Sequence, residues 1–188
     1  MGLLSGIYGV IPHPVDPRAQ GATSTLFRRF HCQYALAHEP TPLENALRGS
    51  GKPFLLVSLG LPTGERGWTL NGWTLHGEDA GHSWRASFNA PGILARNDFR
   101  DKGYRWLIVR LTEGPKGGRK TFAVNGKQIG EFVRTGPSTS VRKEWWVTRS
   151  YPIPEGLLKN GTLEIRFTQP GIAISGVALA TDRLPDTP

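Results

Sequence analysis

The C-terminal half of the chain alternates apolar and polar residues in short runs. Leu163, Ile165 and Phe167 are separated by single polar residues, so they would point to one side of an extended chain and their neighbours to the other. This is the pattern of an antiparallel strand with one buried face. No stretch of this half has helical periodicity beyond about one turn. The pattern therefore predicts an all-β fold.

Turn residues separate these runs at regular places. Asn125-Gly126 lies between two apolar-alternating runs and is the pair that best fills a two-residue hairpin turn. Pairing about this turn would place Phe122 opposite Ile129 on one face. Residues 152–162 contain two prolines, a leucine pair and Asn-Gly, which predicts a structured loop between two strands.

The N-terminal half is less regular. Residues 1–22 contain three prolines among Gly and Asp and are predicted to form an extended arm. Thr25–Ala37 is predicted to be the first strand. Pro42–Arg48 is predicted to be a short helix with Thr41 as its N-cap. Phe54–Leu59 is almost entirely apolar, which predicts a central strand covered on both faces.

Three tryptophans fall in the next stretch. The repeated Trp-Thr-Leu flanks Asn71-Gly72, which predicts a two-residue hairpin with Trp68 and Trp73 on the same, buried side. If the stretch were instead one continuous strand, these two rings would face opposite ways. Trp84 alternates with polar neighbours and is assigned to the core.

The turn Val-Asn-Gly-Lys and the later segment from Tyr151, YPIPEGLLKNGTLEI, resemble the closing half of a galactose-binding-like jelly roll. The C-terminal sandwich domain of rhamnogalacturonan lyases is the most similar form. The resemblance covers residues 84–180, although Leu163 stands where the family often has Asn. It implies an antiparallel β-sandwich, here over residues 23–188 with the arm 1–22 and one short helix. It also implies a carbohydrate-binding module within a larger secreted enzyme, located outside the cell or in the periplasm.

The charge balance agrees with an anionic partner. Lys plus Arg number 23 against 15 Asp plus Glu, a net charge of +8, which favours uronate polysaccharides, nucleic acid or acidic surfaces; solubility alone would explain it equally well. The basic residues are scattered and no nucleic-acid motif is present. No apolar run is long enough to cross a membrane, and Met1–Val10 lacks the features of a signal peptide. The lone cysteine, Cys32, is expected to be a core thiol.

Sugar recognition needs an aromatic ring that stacks on a pyranose, with polar groups beside it. Trp146 shares a register with Glu144 and Thr148, whereas Trp145 shares one with apolar residues. Trp146 is therefore the predicted exposed platform and Trp145 a core residue. The preceding pair Arg142-Lys143 is placed to meet a uronate carboxylate, as is Arg85.

Other residues complete the candidate set. Trp73 and Trp106 are the next candidates for a stacking platform, and His76 lies in a predicted polar loop nearby. Glu78, Asp79 and Asp98 are oxygen ligands that would hold a structural calcium ion if their loops meet. No other cofactor is expected, and the sequence contains no metalloprotease, nucleophile-elbow or P-loop motif.

Three functions therefore remain open. The first is a non-catalytic carbohydrate-binding module for a polysaccharide, acidic or pectin-type. The second is a small jelly-roll lyase or hydrolase with a base at His76 or Tyr104. The third is a structural domain that binds protein partners through a sheet face or the arm. Exposed aromatic rings favour the first, a deep cleft with a His or Tyr beside Arg the second, and a flat apolar face the third.

Overall fold

The computed structural model of the chain describes residues 40–79, 82–87, 89–112, 118–133 and 146–187. These residues belong to a compact unit that spans Pro40–Pro188. The predicted arm (1–22), the predicted first strand (Thr25–Ala37) and Cys32 lie outside the described residues. No helix in the described part is long and apolar enough to cross a membrane.

The described residues contain one helix and eleven strands. In chain order they are α1 (Pro42–Gly49), β1 (Phe54–Ser58), β2 (Thr69–Asn71), β3 (Leu75–Asp79), β4 (His82–Ser87), β5 (Gly92–Phe99), β6 (Trp106–Thr112), β7 (Arg119–Val124), β8 (Lys127–Val133), β9 (Trp146–Pro152), β10 (Gly161–Phe167) and β11 (Ile172–Ala180).

The strands form two antiparallel sheets. The six-stranded sheet has the order β3-β4-β11-β6-β9, with β1 also paired to β11, and the five-stranded sheet has the order β2-β5-β10-β7-β8. Only β3-β4 and β7-β8 are hairpins within one sheet. Every other pair of successive described strands lies in two different sheets, so the chain passes repeatedly from one sheet to the other. This is a β-sandwich with jelly-roll connectivity, and the predicted fold class is confirmed.

The main core lies between the two sheets. It consists of alternate apolar residues from both sheets, each at most 1% exposed in the following examples. They are Val109 and Val177 of the six-stranded sheet and Leu94, Leu163 and Ile165 of the five-stranded sheet. The predicted inward register of β10 is thereby confirmed. A close-packed interior of this kind holds the two sheets in a fixed relation.

The hairpin at Asn125-Gly126 has the predicted tight turn. Asn125 has φ 47° and Gly126 φ 80°, the left-handed conformation that a two-residue hairpin turn requires at both positions. The predicted partner of Phe122 is wrong, however. A register shift after Phe122 sets it opposite Gly130 rather than Ile129, because a β-bulge adds one residue to β8.

The predicted hairpin at Asn71-Gly72 is wrong. Leu70 pairs with Leu94 in the five-stranded sheet, whereas Leu75 pairs with Ala86 in the six-stranded sheet. Gly72, with φ 75°, turns the chain from one sheet to the other. The local turn signal is outweighed because each flanking run pairs with a strand of its own sheet.

The outer face of the six-stranded sheet has a second, smaller core. Helix α1 begins after Thr41, whose side chain accepts a hydrogen bond from the amide of Glu44 at 3.2 Å, as predicted for a cap. Leu43 and Leu47 of the helix pack on Ile108 of β6 with neighbouring alanines. Strand β1 packs against both cores, so it is covered on both faces as predicted. It is not central, since β11 is its only partner among the described strands.

Replacing Gly130 by Ala should destabilise the sandwich. An added Cβ would lie 2.5 Å from Cζ of Phe122 and 2.6 Å from Cδ1 of Tyr151, and overpacking of this kind typically costs about 1–3 kcal/mol. Urea unfolding would measure the loss. In Gly49→Ala, the matched control, the new methyl meets nothing within 4 Å, and stability should not fall. Equal stability of Gly130→Ala and the parent would show that this contact is not tight.

Candidate functional site

Trp146 does not form the exposed platform that its register predicts. Its side chain is 1% exposed. The register itself is as predicted, since Val147 lies in the main core while Thr148 faces the other way. The outer face of the six-stranded sheet is nevertheless covered around Trp146. Thr112, which pairs with Trp146, is 1% exposed, and Thr148 is 5% exposed. The prediction of an accessible ring is wrong because the polar side of β9 is itself buried.

Trp73 also fails as a platform. It is 8% exposed and lies in the main core, where its ring packs edge-on against Phe167 at a centroid distance of 5.6 Å. Its Nε1 donates a hydrogen bond to the carbonyl of Ile93 at 3.0 Å. This indole is a structural anchor at the point where the chain changes sheets.

Two other tryptophans predicted to be core, Trp68 and Trp84, are only partly buried. Trp68 packs on the edge of the main core, and the guanidinium of Arg96 lies 5.9 Å from its ring centroid. Arg96 is also paired with Asp98 at 2.7 Å. Trp84 is partly buried and belongs to neither core. Trp145 lies outside the described residues.

Trp106 is the candidate ring that remains accessible. It is partly exposed and begins β6 on the outer face of the six-stranded sheet, between Ala180 of β11 and Pro152 of β9. The guanidinium of Arg183 lies 5.7 Å from its ring centroid. Because the side chain of Arg183 is 56% exposed, this cation can leave the ring without losing a buried contact.

The loops around Trp106 are joined by hydrogen bonds. The amide of Asp101 donates to Oδ1 of Asn160 at 2.8 Å, which connects the β5–β6 loop to the β9–β10 loop. The amide of Ile153 donates to the carbonyl of Arg105 at 2.8 Å, and the amide of Arg105 donates to the carbonyl of Ala180 at 2.9 Å. This end of the sandwich, residues 100–106, 152–160 and 180–183, is called the loop end below. Its backbone is fixed before any ligand binds.

The loop end presents unpaired positive charge. Arg100, Lys102, Arg105 and Lys159 are all exposed, and none forms an ion pair within the described part of the chain. The acidic Asp101 between them is engaged by the backbone, since its Oδ1 accepts from the amides of Gly103 and Tyr104. A partly exposed aromatic ring and exposed cations without a described ion pair therefore lie at the same end of the sandwich. Such a surface can stack on a sugar ring and attract its carboxylates.

The predicted catalytic bases are not assembled for catalysis. Tyr104 is 3% exposed, packs near Phe99, and has its pKa raised by burial and then by the charge of Asp101. A raised pKa makes the phenolate harder to form, the opposite of what a general base needs. His76 lies exposed in β3 opposite Arg85, not in the predicted polar loop.

Arg85 is not available for a ligand carboxylate. Its Nε and Nη2 donate to the two carboxylate oxygens of Glu65 at 2.6 and 2.7 Å. That hydrogen bonding raises the pKa of Arg85. Glu65 also accepts from the amide of Gly60 at 2.8 Å, so the pair fixes the loop between β1 and β2. The structure therefore gives Arg85 a carboxylate partner within the chain, where the sequence predicted a ligand carboxylate.

The predicted calcium ligands lie on strands of two different sheets. Glu78 and Asp79 lie in β3 rather than in a loop, and Asp98 lies in β5 of the other sheet. The carboxylate of Asp98 is bonded to Arg96, which lowers its pKa. Among the residues that the structure describes, no group of three acidic, His or Cys side chains could hold a metal ion. The calcium site therefore stays a prediction.

Of the remaining cations, one pair was predicted from the sequence and one residue was not. The pair Arg142-Lys143 lies outside the described residues, so its role stays a prediction. Arg110, by contrast, was not a candidate, although it is a cation in a strand that is otherwise almost all apolar. That contrast is the signal by which the sequence could have singled it out.

Comparison with solved structures gives matches at low sequence identity. The C-terminal family 6 carbohydrate-binding module of a marine laminarinase from Zobellia galactanivorans is 12% identical, with a TM-score of 0.45 over 68% of this chain and 99% of that chain. A family 35 carbohydrate-binding module from Clostridium thermocellum is 18% identical, with a TM-score of 0.47 over 68% and 97%. A family 35 module from an environmental isolate is 19% identical, with a TM-score of 0.46 over 71% and 96%. No protein-family model and no curated protein matches the sequence.

Replacing Trp146 by Ala should strongly destabilise the fold. Removal of a large, fully buried side chain typically costs about 3–5 kcal/mol, and Trp146 is 1% exposed. Trp106→Ala, at a partly exposed position of the same face, is the matched control and should cost less. Thermal or denaturant unfolding of both variants gives the comparison. Parent-like stability of Trp146→Ala would mean that the ring is accessible after all.

Proposed function

We propose that this chain is a non-catalytic carbohydrate-binding module that binds an acidic polysaccharide at the loop end. The observation that supports this most is the partly exposed ring of Trp106 at the hydrogen-bonded loop end, where four exposed cations form no ion pair with any described residue. A polysaccharide is a chain of rings with apolar faces and polar edges, so an aromatic platform beside charged side chains suits it.

Stacking at Trp106 would replace an existing contact. The guanidinium of Arg183 lies over the ring, and its own ion pair with Asp186 is 3.7 Å long and largely exposed. Exposed pairs of this kind contribute at most about 1 kcal/mol. A sugar ring can therefore displace Arg183 at small cost, and the released cation can then pair with a carboxylate of the same ligand.

The cations account for the choice of an acidic polysaccharide. Arg100, Lys102 and Arg105 precede Trp106 within one loop, and Lys159 lies next to Asn160, which contacts that loop. None of these cations is engaged by a described carboxylate. Repeated carboxylates along a uronate chain would gain from several such charges at once, whereas a neutral glycan would gain only from the ring and hydrogen bonds.

The alternatives have weaker support. A lyase or hydrolase requires a base, and Tyr104 is buried with a raised pKa. A protein-assembly surface would be expected on a flat apolar face, but the described outer face of the five-stranded sheet includes exposed Thr69, Asn71 and Arg166. We further propose that the module acts within a larger secreted carbohydrate-active enzyme, the setting that the sequence resemblance implies.

Calorimetry with oligogalacturonates and with uncharged galacto-oligosaccharides of equal length tests the ring. Trp106→Ala should weaken binding to the acidic ligand about tenfold or more, because an aromatic anchor typically contributes at least 1–2 kcal/mol. Trp84→Ala, which removes a partly buried ring from β4 of the same sheet, is the matched control and should bind like the parent. Unchanged binding by Trp106→Ala would place the site elsewhere, and no binding to any polysaccharide would contradict the proposed function.

The charges are tested separately. The double variant Arg100→Gln, Lys102→Gln should lose affinity for oligogalacturonate but not for the neutral ligand, and salt should weaken only the acidic complex, since screening acts over about 8–10 Å. Arg119→Gln is the control, because Arg119 is 73% exposed yet already paired with Glu131. Equal losses for both ligands would contradict a charge-based preference.

A further inference from the structure

Arg110 is a buried cation without a carboxylate partner in the described part of the chain. Its residue is 9% exposed, and its one hydrogen bond runs from Nη1 to Oγ1 of Thr148 at 2.9 Å. Its Nε is buried and has no acceptor. Other partly buried arginines, such as Arg85 and Arg96, form bidentate contacts with Glu65 and Asp98. Arg110 differs from these two arginines.

The neighbours of Arg110 on the sheet supply no negative charge. The residues directly opposite it are Thr148 on β9 and Gly176 on β11. The residues two positions along β6, on the same face, are Ile108 and Thr112. The position over Gly176 is filled by Leu43 of α1, whose Cδ2 lies 3.1 Å from where a Cβ would be. These described neighbours of the guanidinium on β6, β9, β11 and α1 are thus hydroxyl or apolar groups.

This arrangement is costly unless an anion joins it. A guanidinium stays protonated in proteins, and an uncompensated buried ion costs several kcal/mol. One hydrogen bond to a neutral hydroxyl does not offset such a cost, because a typical neutral hydrogen bond contributes only about 1 kcal/mol. Burial also lowers the pKa of Arg110, because removal from water disfavours the charged form.

A second unsatisfied group lies beside it. Oγ1 of Thr112 is buried and has no hydrogen-bond partner in the described part of the chain. Thr112 is two residues from Arg110 on the same face of β6, about 7 Å along the strand. A carboxylate has two acceptor oxygens, so it can accept from a guanidinium nitrogen with one and from a hydroxyl with the other.

We propose that Arg110 and Thr112 form the donor side of a carboxylate-binding site on the outer face of the six-stranded sheet. The ligand is a small carboxylate, either a free organic acid or the carboxyl group of a uronic acid. The site is separate from the loop end, because Arg110 lies four residues from Trp106 along β6, or about 13 Å. It therefore does not rest on the proposed function.

Acetate, galacturonate and galactose are the probes, each added at constant ionic strength to the whole chain. Acetate and galacturonate, but not galactose, should shift the Nε–Hε resonance of Arg110 and raise the melting temperature of the parent. Equal responses to acetate and galacturonate would identify the carboxylate alone as the ligand, and a response to galacturonate only would identify a sugar acid. Either result supports the site. No response of the Arg110 resonance to either acid overturns it.

Variants assign the effect to these two side chains. Arg110→Met should bind the responsive acid at least tenfold more weakly, and Thr112→Val several-fold more weakly. Arg119→Met, which removes an exposed cation of the other sheet, should bind like the parent. Arg110→Met that binds like the parent overturns the proposal.

Stability without added acid gives an independent check. Removing an unpaired buried charge should leave Arg110→Met at least as stable as the parent in acid-free buffer. A large loss of stability would show instead that Arg110 already has its partner, and this overturns the proposal. A variant that does not fold has lost that stability and overturns the proposal in the same way. Trp106→Ala should keep the carboxylate response, so this site and the loop end can fail separately.

Discussion

The hydrogen bonding of β11 is the constraint on which the rest of the structure depends. All nine of its residues are buried. One edge pairs first with β4 and then with β1, while the other edge pairs with β6, with a register shift between Ile174 and Gly176. A strand hydrogen-bonded on both edges and buried on both sides requires cover on each face. The sandwich core covers one face, and α1 covers part of the other.

Cover on both faces decides where recognition chemistry can lie. The outer face of the six-stranded sheet is covered around Trp146 and around α1. Residues on the polar side of a strand are therefore buried there rather than exposed. Accessible side chains are found instead where strands end, as at Trp106 and the cations before it. The hydrogen bonds between Asp101 and Asn160 and between Ile153 and Arg105 fix that end, and a fixed surface loses less entropy on binding.

Sequence patterns correctly predicted the structural features that depend only on residues adjacent in the chain. The alternation in β10, the turn at Asn125-Gly126 and the cap at Thr41 are all properties of a few adjacent residues, and the structure has them. The partner strands of Trp68–Leu75 depend on distant segments, Ile93–Ala95 and Ser83–Ala86. An Asn-Gly signal cannot reveal these, because it reports only local backbone preference.

The same limit explains the site residues. Alternation correctly separates Trp146 from Val147, but exposure depends on what packs over the second face, which no local pattern encodes. Arg85 was a candidate for binding a uronate carboxylate, yet it forms a bidentate ion pair with Glu65, twenty residues earlier. Trp106 was among the candidates and remains accessible, since strand ends are less covered than strand centres.

Mapping of backbone amide chemical shifts during titration with oligogalacturonate tests the central claim most directly. The account predicts that the largest changes fall on residues 100–106, 152–160 and 180–183, with little change on the five-stranded sheet. Changes centred on the outer face of that sheet, around Asn71 and Arg166, or the absence of any change, would contradict it.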